Sequence, residues 1–248
     1  MNENKYNYFL DIHCHYEEIN PLYLKQKLKE NKIISLTAST NIQTYENLEK
    51  IRLKNIPNLY FAYGLHPDNV IKKEINDNLK DLEKIDFSKS IAIGEIGLDY
   101  KITKNKQKKE EQKKIFEKQL EFAKKLKKPV IIHTRYATKP VLEILSSWTD
   151  LKIILHWFGG NETEIDKALS KNYYLTQRFA FPEIKNIKKH FDKIFIETDF
   201  PVSYNGENTN IESVIKSYEK FCEKYDIDLT QIKKRTIQNF EKLFKIKL

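Results

Sequence analysis

Seven side chains able to hold a divalent cation close short apolar runs of this chain, one after another. They are His13 and His15 in FLDIHCH, His66 in FAYGLHP, Glu95 in IAIGEIG, His133 in VIIHT, His156 in KIILH and Asp199 in FIETD. Neutral imidazole and carboxylate together suit Mg²⁺, Mn²⁺ or Zn²⁺, and a cation so held activates water for hydrolysis. His13 and His15 stand two apart on an extended segment, so their rings share a direction and one ion can take both. Glu95 follows a nearly apolar run, where an unpaired carboxylate is costly to bury. It must meet water or a cation, and its two oxygens can bridge a pair of ions. His133 and His156 each end a β-branched run. Asp199 can ligate and also take a proton from water.

Around this set lie residues with two readings each. His66 contacts a substrate phosphate or leaving group, or it is structural. Arg135 follows His133 by two and shares its direction; its guanidinium suits a phosphate, or it pairs with a rim carboxylate. Asp11, placed on the face of His13, supports a ligating ring or is a polar residue at the strand start. Glu197 lies two before Asp199 and is expected to be a buried support held by an Arg or Lys. Cys14 is expected to point away from the two histidines and pack as a small apolar group. Residues 101–114 carry seven Lys against two Glu. They form either a phosphate-contacting lip or a solvated loop and helix start.

To bring these groups together, the apolar runs must be strands whose ends share one rim. Strands are expected over 6–13, 32–38, 58–65, 90–95, 129–133, 151–156, 172–177 and 193–198. Between them, helical spacing covers 21–30, 43–54, 75–86, 107–127, 138–147, 162–170, 183–190 and 209–225, and a last helix covers 229–244. Strictly alternating strands and helices argue for parallel βα units. Eight such units in 248 residues argue for one closed (β/α)8 barrel, typically about 250 residues long. In that fold, active groups come from the strands' C-terminal ends. Pro21 fits a first helical turn, and Pro129 fits a strand start. Gly64 and Gly94 mark close backbone approach. Asn239 is expected to tie the last helix to the barrel, with Leu243 and Phe244 in the core. With no linker and no repeat, 1–248 reads as a single domain.

Composition sets broader limits. Hydrophobic residues are 40% and charged residues 32% of the chain, a globular balance. The net charge of +9 favours polyanionic partners, although a Lys-, Asn- and Ile-rich composition accounts for it equally well. Two cysteines give no disulfide framework. The sequence shows no signal peptide or membrane span, so a cytoplasmic location and no membrane partner are expected.

Taken in order, DIHCH (11–15), YGLHP (63–67), AIGEIGLDY (92–100), VIIHTR (130–135), LHWFGG (155–160), ETDFP (197–201) and NFEKLF (239–244) resemble the TatD family of metal-dependent deoxyribonucleases. The resemblance runs from end to end. It implies an amidohydrolase-like barrel with two divalent ions, Mg²⁺ or Mn²⁺ expected and Zn²⁺ compatible. By that analogy His13, His15, Glu95 and Asp199 hold one ion. Glu95, His133 and His156 hold the other, with Glu95 and Asp199 in the catalytic roles. Arg135, His66 and Trp157 fall to the substrate, which is DNA, with single strands and 3′-exonuclease action expected. Trp157 either stacks a base or packs beneath the metal site. Two departures stand out: HWFGG where the family usually has HCFSG, and TQRFAFPEI over 176–184. With SLTAST (35–40), the HWF variant is similar to the QatD branch, a TatD-type subunit of a bacterial anti-phage system, which would imply partner subunits from the same operon. Two readings of other classes stay open here. One is a barrel hydrolase of small amides or esters, and the other is a nucleic-acid-binding scaffold in a defence complex.

Overall fold

Among the described residues the strands are mostly apolar and largely buried on both faces, the signature of a parallel sheet covered by helices. The computed structural model describes residues 3–177, 184, 187–203, 206 and 208–248. The strands are β1 (Phe9–Cys14), β2 (Ile33–Ala38), β3 (Leu59–Tyr63), β4 (Ala92–Asp99), β5 (Val130–Arg135), β6 (Ile153–Leu155), β7 (Tyr174–Gln177) and β8 (Ile194–Ile196). They form one eight-stranded parallel sheet in sequence order. Helices α1 (Pro21–Glu30), α2 (Ile42–Arg52), α3 (Pro67–Val70), α4 (Ile75–Lys84), α5 (Lys106–Leu126), α6 (Thr138–Leu145), α7 (Glu162–Ser170), α8 (Ser213–Tyr225) and α9 (Leu229–Phe244) complete the units. Asparagines start several of them: Asn20 caps α1 ahead of Pro21, and Asn41 and Asn161 form capping boxes on α2 and α7.

Most of the sequence-based elements hold with small shifts at their ends. The strand expected over 90–95 instead runs on to Asp99, the strand expected from 6 begins at Phe9 after a 3₁₀ segment, Glu3–Asn7, and one helix differs more. The helix expected over 183–190 falls partly on residues outside those described. Its described part belongs to a 3₁₀ segment, Ile187–Lys193, with His190 in a non-helical conformation. Of the unusual stretch 176–184, residues 178–183 likewise lie outside the described residues. The short helix α3 was not expected.

Packing divides into two shells. The inner one takes a side chain from every strand: Leu10 and Ile12, Ile34 and Leu36, Ala62, Ala92, Ile131, Ile154, Tyr174 and Phe195. Small residues on β3 and β4 leave room for the rings on β7 and β8, so the bore is filled rather than open. Phe240 and Leu243 of α9 join this cluster. Asn239 fixes that helix by donating to the carbonyls of Phe191 (2.8 Å) and Ile194 (3.0 Å). The outer shell lies between strands and helices and includes Cys14, Ile33, Ile132, Leu155 and Ile196.

On β1 the two-residue period breaks. Phe9 and Cys14 both join the outer cluster, although five positions apart should place them on opposite faces. The register shift lies between Asp11 and Cys14. Asp11 is therefore not on the face of His13, which corrects the sequence-based placement. Its carboxylate instead accepts from Thr198 N (3.0 Å) and Thr198 Oγ1 (2.7 Å). Beside this clamp, Asp199 N donates to His13 O (3.0 Å) and His15 N to Phe200 O (2.7 Å). The seam between β1 and β8 is thus closed at the rim that carries the ligands. Burial pushes the Asp11 carboxyl up to about 7, against the Thr198 hydrogen bonds that favour its ionised form.

Backbone contact is closest between β4 and β5. Gly97 has φ +144°, and a Cβ there would lie 2.0 Å from the His133 carbonyl oxygen. Gly64 and Gly94, singled out from sequence, also have no room for a side chain, with neighbouring atoms at 2.7 Å from a built Cβ. We expect Gly97→Ala to destabilise the fold by on the order of 3 kcal/mol, combining overpacking with a disfavoured φ. Urea unfolding would show this; a midpoint unchanged from wild type would refute it.

Candidate metal centre

The seven side chains named from sequence converge. His13 and His15 come from the end of β1, His66 from the loop after β3, Glu95 from β4, His133 from β5, and His156 and Asp199 from just past β6 and β8. Glu95 follows a cis peptide bond, and Asp199 sits at φ +56°. The ring centroids of His13 and His156 are 4.0 Å apart, and those of His66 and His133 are 4.3 Å apart. All but His13 line one cleft of about 860 Å³ together with Arg135 and Trp157; His13 lies directly beneath, fully buried.

Glu95 divides the donors into two groups. Its Oε2 lies 3.4 Å from both His13 Nε2 and His15 Nε2. Asp199 Oδ1 is 3.5 Å from the same two nitrogens. In a tetrahedral site with bonds near 2.1 Å, neighbouring ligand atoms are about 3.4 Å apart. His13 Nε2 is buried without a hydrogen-bond partner. His15 donates from Nδ1 to the Ala38 carbonyl (2.9 Å), which leaves Nε2 facing the carboxylates; burial opposes its charge, and Asp199 and Glu95 outweigh it and hold its pKa well above the ordinary value. These residues fit a cation. Around the other oxygen, Glu95 Oε1, lie His133 Nδ1 at 2.7 Å and His156 Nε2 and His66 Nε2 at 3.4 Å each.

Behind these groups stand supports. Glu197, fully buried, accepts from His156 Nδ1 at 3.0 Å and from the Trp157 backbone N–H at 3.1 Å. The sequence-based expectation that an Arg or Lys holds Glu197 is therefore replaced: it holds a histidine. This orients the His156 ring and raises its basicity. Asp99 was given no role from sequence, although it lies in the GEIGLDY stretch. Its Oδ2 is 3.4 Å from His133 Nε2, and Arg135 Nη1 is 3.9 Å from the same oxygen. So Arg135 leans on a rim carboxylate while its side chain stays half exposed.

His66 differs from the other imidazoles. Its Nδ1 accepts from Asp68 N (3.1 Å), capping α3. Burial, partly offset by Glu95, holds its pKa below the ordinary value. The ring is then neutral with its proton on Nε2, facing the cleft as a donor. The structural reading of His66 is seen at Nδ1, and Nε2 is left on the cleft side, 3.4 Å from Glu95 Oε1.

The electrostatics follow from crowding. Burial alone would raise the Glu95 pKa, but His66, His156 and His13 hold it well below the usual carboxylate range. Asp199 is also held low, burial being outweighed by His156, His15 and His13. His13 is lowered by burial and by the neighbouring His156. His156 is raised to about 9: burial opposes its charge, and Glu197, Glu95 and Asp199 outweigh it.

Of the 101–114 segment, Lys108 and Lys113 pair with Glu111 and Glu110 one turn along α5. Lys101 Nζ lies 5.8 Å from the centre of the Tyr136 ring, which lines the cleft. The stretch SLTAST (35–40) runs along β2 and is buried as far as Ser39. Among the described residues no helix is long and apolar enough to cross a membrane.

Comparison with known proteins adds the following. Residues 10–245 match the family model described as TatD related DNase. An uncharacterised metal-dependent hydrolase of Buchnera aphidicola is 30% identical over 267 aligned residues, covering 96% of this chain and 100% of that protein. The metal-dependent hydrolase YabD of Bacillus subtilis is 29% identical, covering 93% and 92%. The crystal structure of YjjV, a TatD homologue from Escherichia coli K12, superimposes with a TM-score of 0.80 at 21% identity over 98% of this chain and all of that one. At that identity it bears on the fold alone, an eight-stranded (β/α)8 barrel.

Cation uptake has a predictable pH dependence. Below about pH 9 His156 holds a proton that a cation must displace. Affinity of the chelator-treated protein for Mn²⁺ should therefore fall as pH is lowered from 9 toward 7, by up to about tenfold per unit for each proton displaced. Calorimetric titration in two buffers of different ionisation enthalpy would register the released protons. A pH-independent affinity would count against the assignment.

Proposed function

Because the chain belongs to the TatD-related DNase family and is a metal-dependent hydrolase of that type, we propose that it cleaves phosphodiester bonds of DNA, single strands in preference, from the 3′ end. One observation carries this reading: Glu95 Oε2 faces His13 and His15, which Asp199 also approaches, while Glu95 Oε1 faces His133 and His156. A pair of groups sharing a carboxylate matches the needs of a phosphoryl centre, where attacking and leaving oxygens both require stabilisation.

In this proposal His13, His15, Glu95 and Asp199 hold one divalent ion, and Glu95, His133 and His156 hold a second. Mg²⁺ or Mn²⁺ is favoured for an oxygen-rich substrate, and Zn²⁺ suits the imidazoles. Bound cations supply Lewis acidity to a phosphoryl oxygen and acidify water. The rest is done by the chain. The Asp199 carboxylate orients the attacking water and accepts its proton. The Nε2–H of His66 donates to a non-bridging oxygen as negative charge grows there. Arg135, half exposed at the cleft, holds the neighbouring phosphate. Trp157 lies against a base. Glu197 and Asp99 keep His156 and His133 in register without touching substrate.

Asp199→Asn should lower kcat on a labelled single strand by at least about a hundredfold, the usual contribution of a positioned base, while oligonucleotide affinity changes only a few-fold. Wild-type turnover in that variant would remove Asp199 from its role. EDTA should silence the enzyme, with Mg²⁺ or Mn²⁺ restoring it. A 3′-blocked strand should resist, whereas equal cutting from both ends would refute the polarity. Hydrolysis of small amides or esters but not DNA would move the chain to another substrate class.

The finer assignment to an anti-phage complex draws on HWFGG and on residues 35–40. The latter are mostly buried strand residues and are poorly suited to meeting a partner, and a functional test decides the assignment. If catalysis is the defence function, Glu95→Ala abolishes phage protection in a host carrying the operon. Protection that survives the change would make the barrel a scaffold.

A further inference from the structure

Among the described residues, ten other than glycine have positive φ, and eight of them are Lys, Asn or Asp. The remaining two are aromatic: Tyr136 at +55° and Trp157 at +41°. A bulky residue seldom adopts that conformation, and where it does the surrounding structure must impose it. Both rings line the metal-centre cleft. Each comes shortly after a donor histidine, Tyr136 three residues after His133 of β5 and Trp157 directly after His156, just past β6.

Tyr136 is also 76% exposed, unlike most aromatic side chains here. Its neighbours are cationic. Lys101 Nζ lies 5.8 Å from the centre of its ring, and Arg135 precedes it with its guanidinium half exposed. An exposed aromatic ring with one cation near its face and a second on the adjacent residue suits a nucleotide, whose flat base lies between two phosphates. We propose that Tyr136 is a base-stacking platform for the single strand, in the cleft that the donors line, with Lys101 and Arg135 taking the flanking phosphates. Stacking of this kind accepts any base, so it confers affinity for unpaired strands without sequence choice. Paired bases are already stacked on each other and present no free face, so the same ring selects against duplex. The proposal rests on the nuclease reading for its ligand and names how that ligand is gripped.

The test uses the full chain with Mg²⁺ and a hydrolysis-resistant phosphorothioate oligothymidylate carrying a fluorophore, with anisotropy as the readout. Tyr136→Ala should weaken binding roughly five- to a hundredfold, the range for loss of one base stack. Tyr136→Phe and Tyr136→Trp should stay within about twofold of wild type, because they keep a π-face. An oligomer with an abasic site at each position in turn should identify one position at which Tyr136→Ala costs nothing further. Unchanged affinity in Tyr136→Ala would overturn the proposal, as would an equal loss on every abasic oligomer. Cleavage of an ordinary strand by the wild type is scored separately. If these binding results hold and cleavage is absent, the nuclease reading falls and the platform stands; if cleavage is present and they fail, the platform falls alone.

Discussion

Five carboxylates are buried at one rim of this barrel: Asp11, Glu95, Asp99, Glu197 and Asp199. Removing that many potential charges from water is costly unless each is paired, and the arrangement of the rim follows from how the pairing is achieved. Asp11 is satisfied by Thr198 and its charge is further reduced by its raised pKa. Glu197 and Asp99 each take a histidine. Glu95 and Asp199 remain, ionised and facing imidazoles. Neutral imidazoles can ligate but cannot cancel charge, and protonated ones cancel charge but cannot ligate. A divalent cation resolves both demands, which is why this rim reads as a metal centre and not as an ordinary polar network.

The seam makes that rim possible. His13 and Asp199 come from opposite ends of the chain, and the barrel closes where they meet. Asp11 and Thr198, one or two residues away, lock β1 to β8 from the outer side, and the backbone bonds Asp199 to His13 and His15 to Phe200 lock them at the rim. The register shift after Asp11 lets one short strand serve both purposes. It points a carboxylate outward to the lock and the following histidines inward to the site.

That shift also marks the limit of what the sequence discloses. Strands, their order and the convergence of seven donors were legible, because an apolar run ending in a polar residue signals both burial and rim position. The period-two rule then misplaced Asp11, since a slip of one residue leaves no trace in composition. Glu197 was visible as a buried acid, but its partner was assigned wrongly. Contact with His156 depends on how β6 and β8 sit across β7, a distance of 41 residues along the chain. Asp99 lies on a strand that continues past Glu95, and the irregularity between Ile93 and Ile96 hides which of its side chains face the cleft. The exposure of Tyr136 was equally hidden, because positive φ at a tyrosine is imposed by tertiary contacts and not by local preference.

The charge balance now reads differently from the bare value of +9. Many lysines are engaged with acids close by on the same helix, as Lys80 is with Asp77 and Lys113 with Glu110, and such surface pairs contribute little. The cleft itself is acidic: Asp68, Glu95, Asp99 and Asp199 line it against Arg135 alone among fixed cations. A phosphodiester entering it would meet repulsion unless divalent ions reversed the local sign. On the proposed nuclease reading, cations at this centre would favour substrate entry as well as hydrolysis. The chain's own positive groups at the mouth, Arg135 and Lys101, lie where they can guide the strand's flanking phosphates without competing for the donors within.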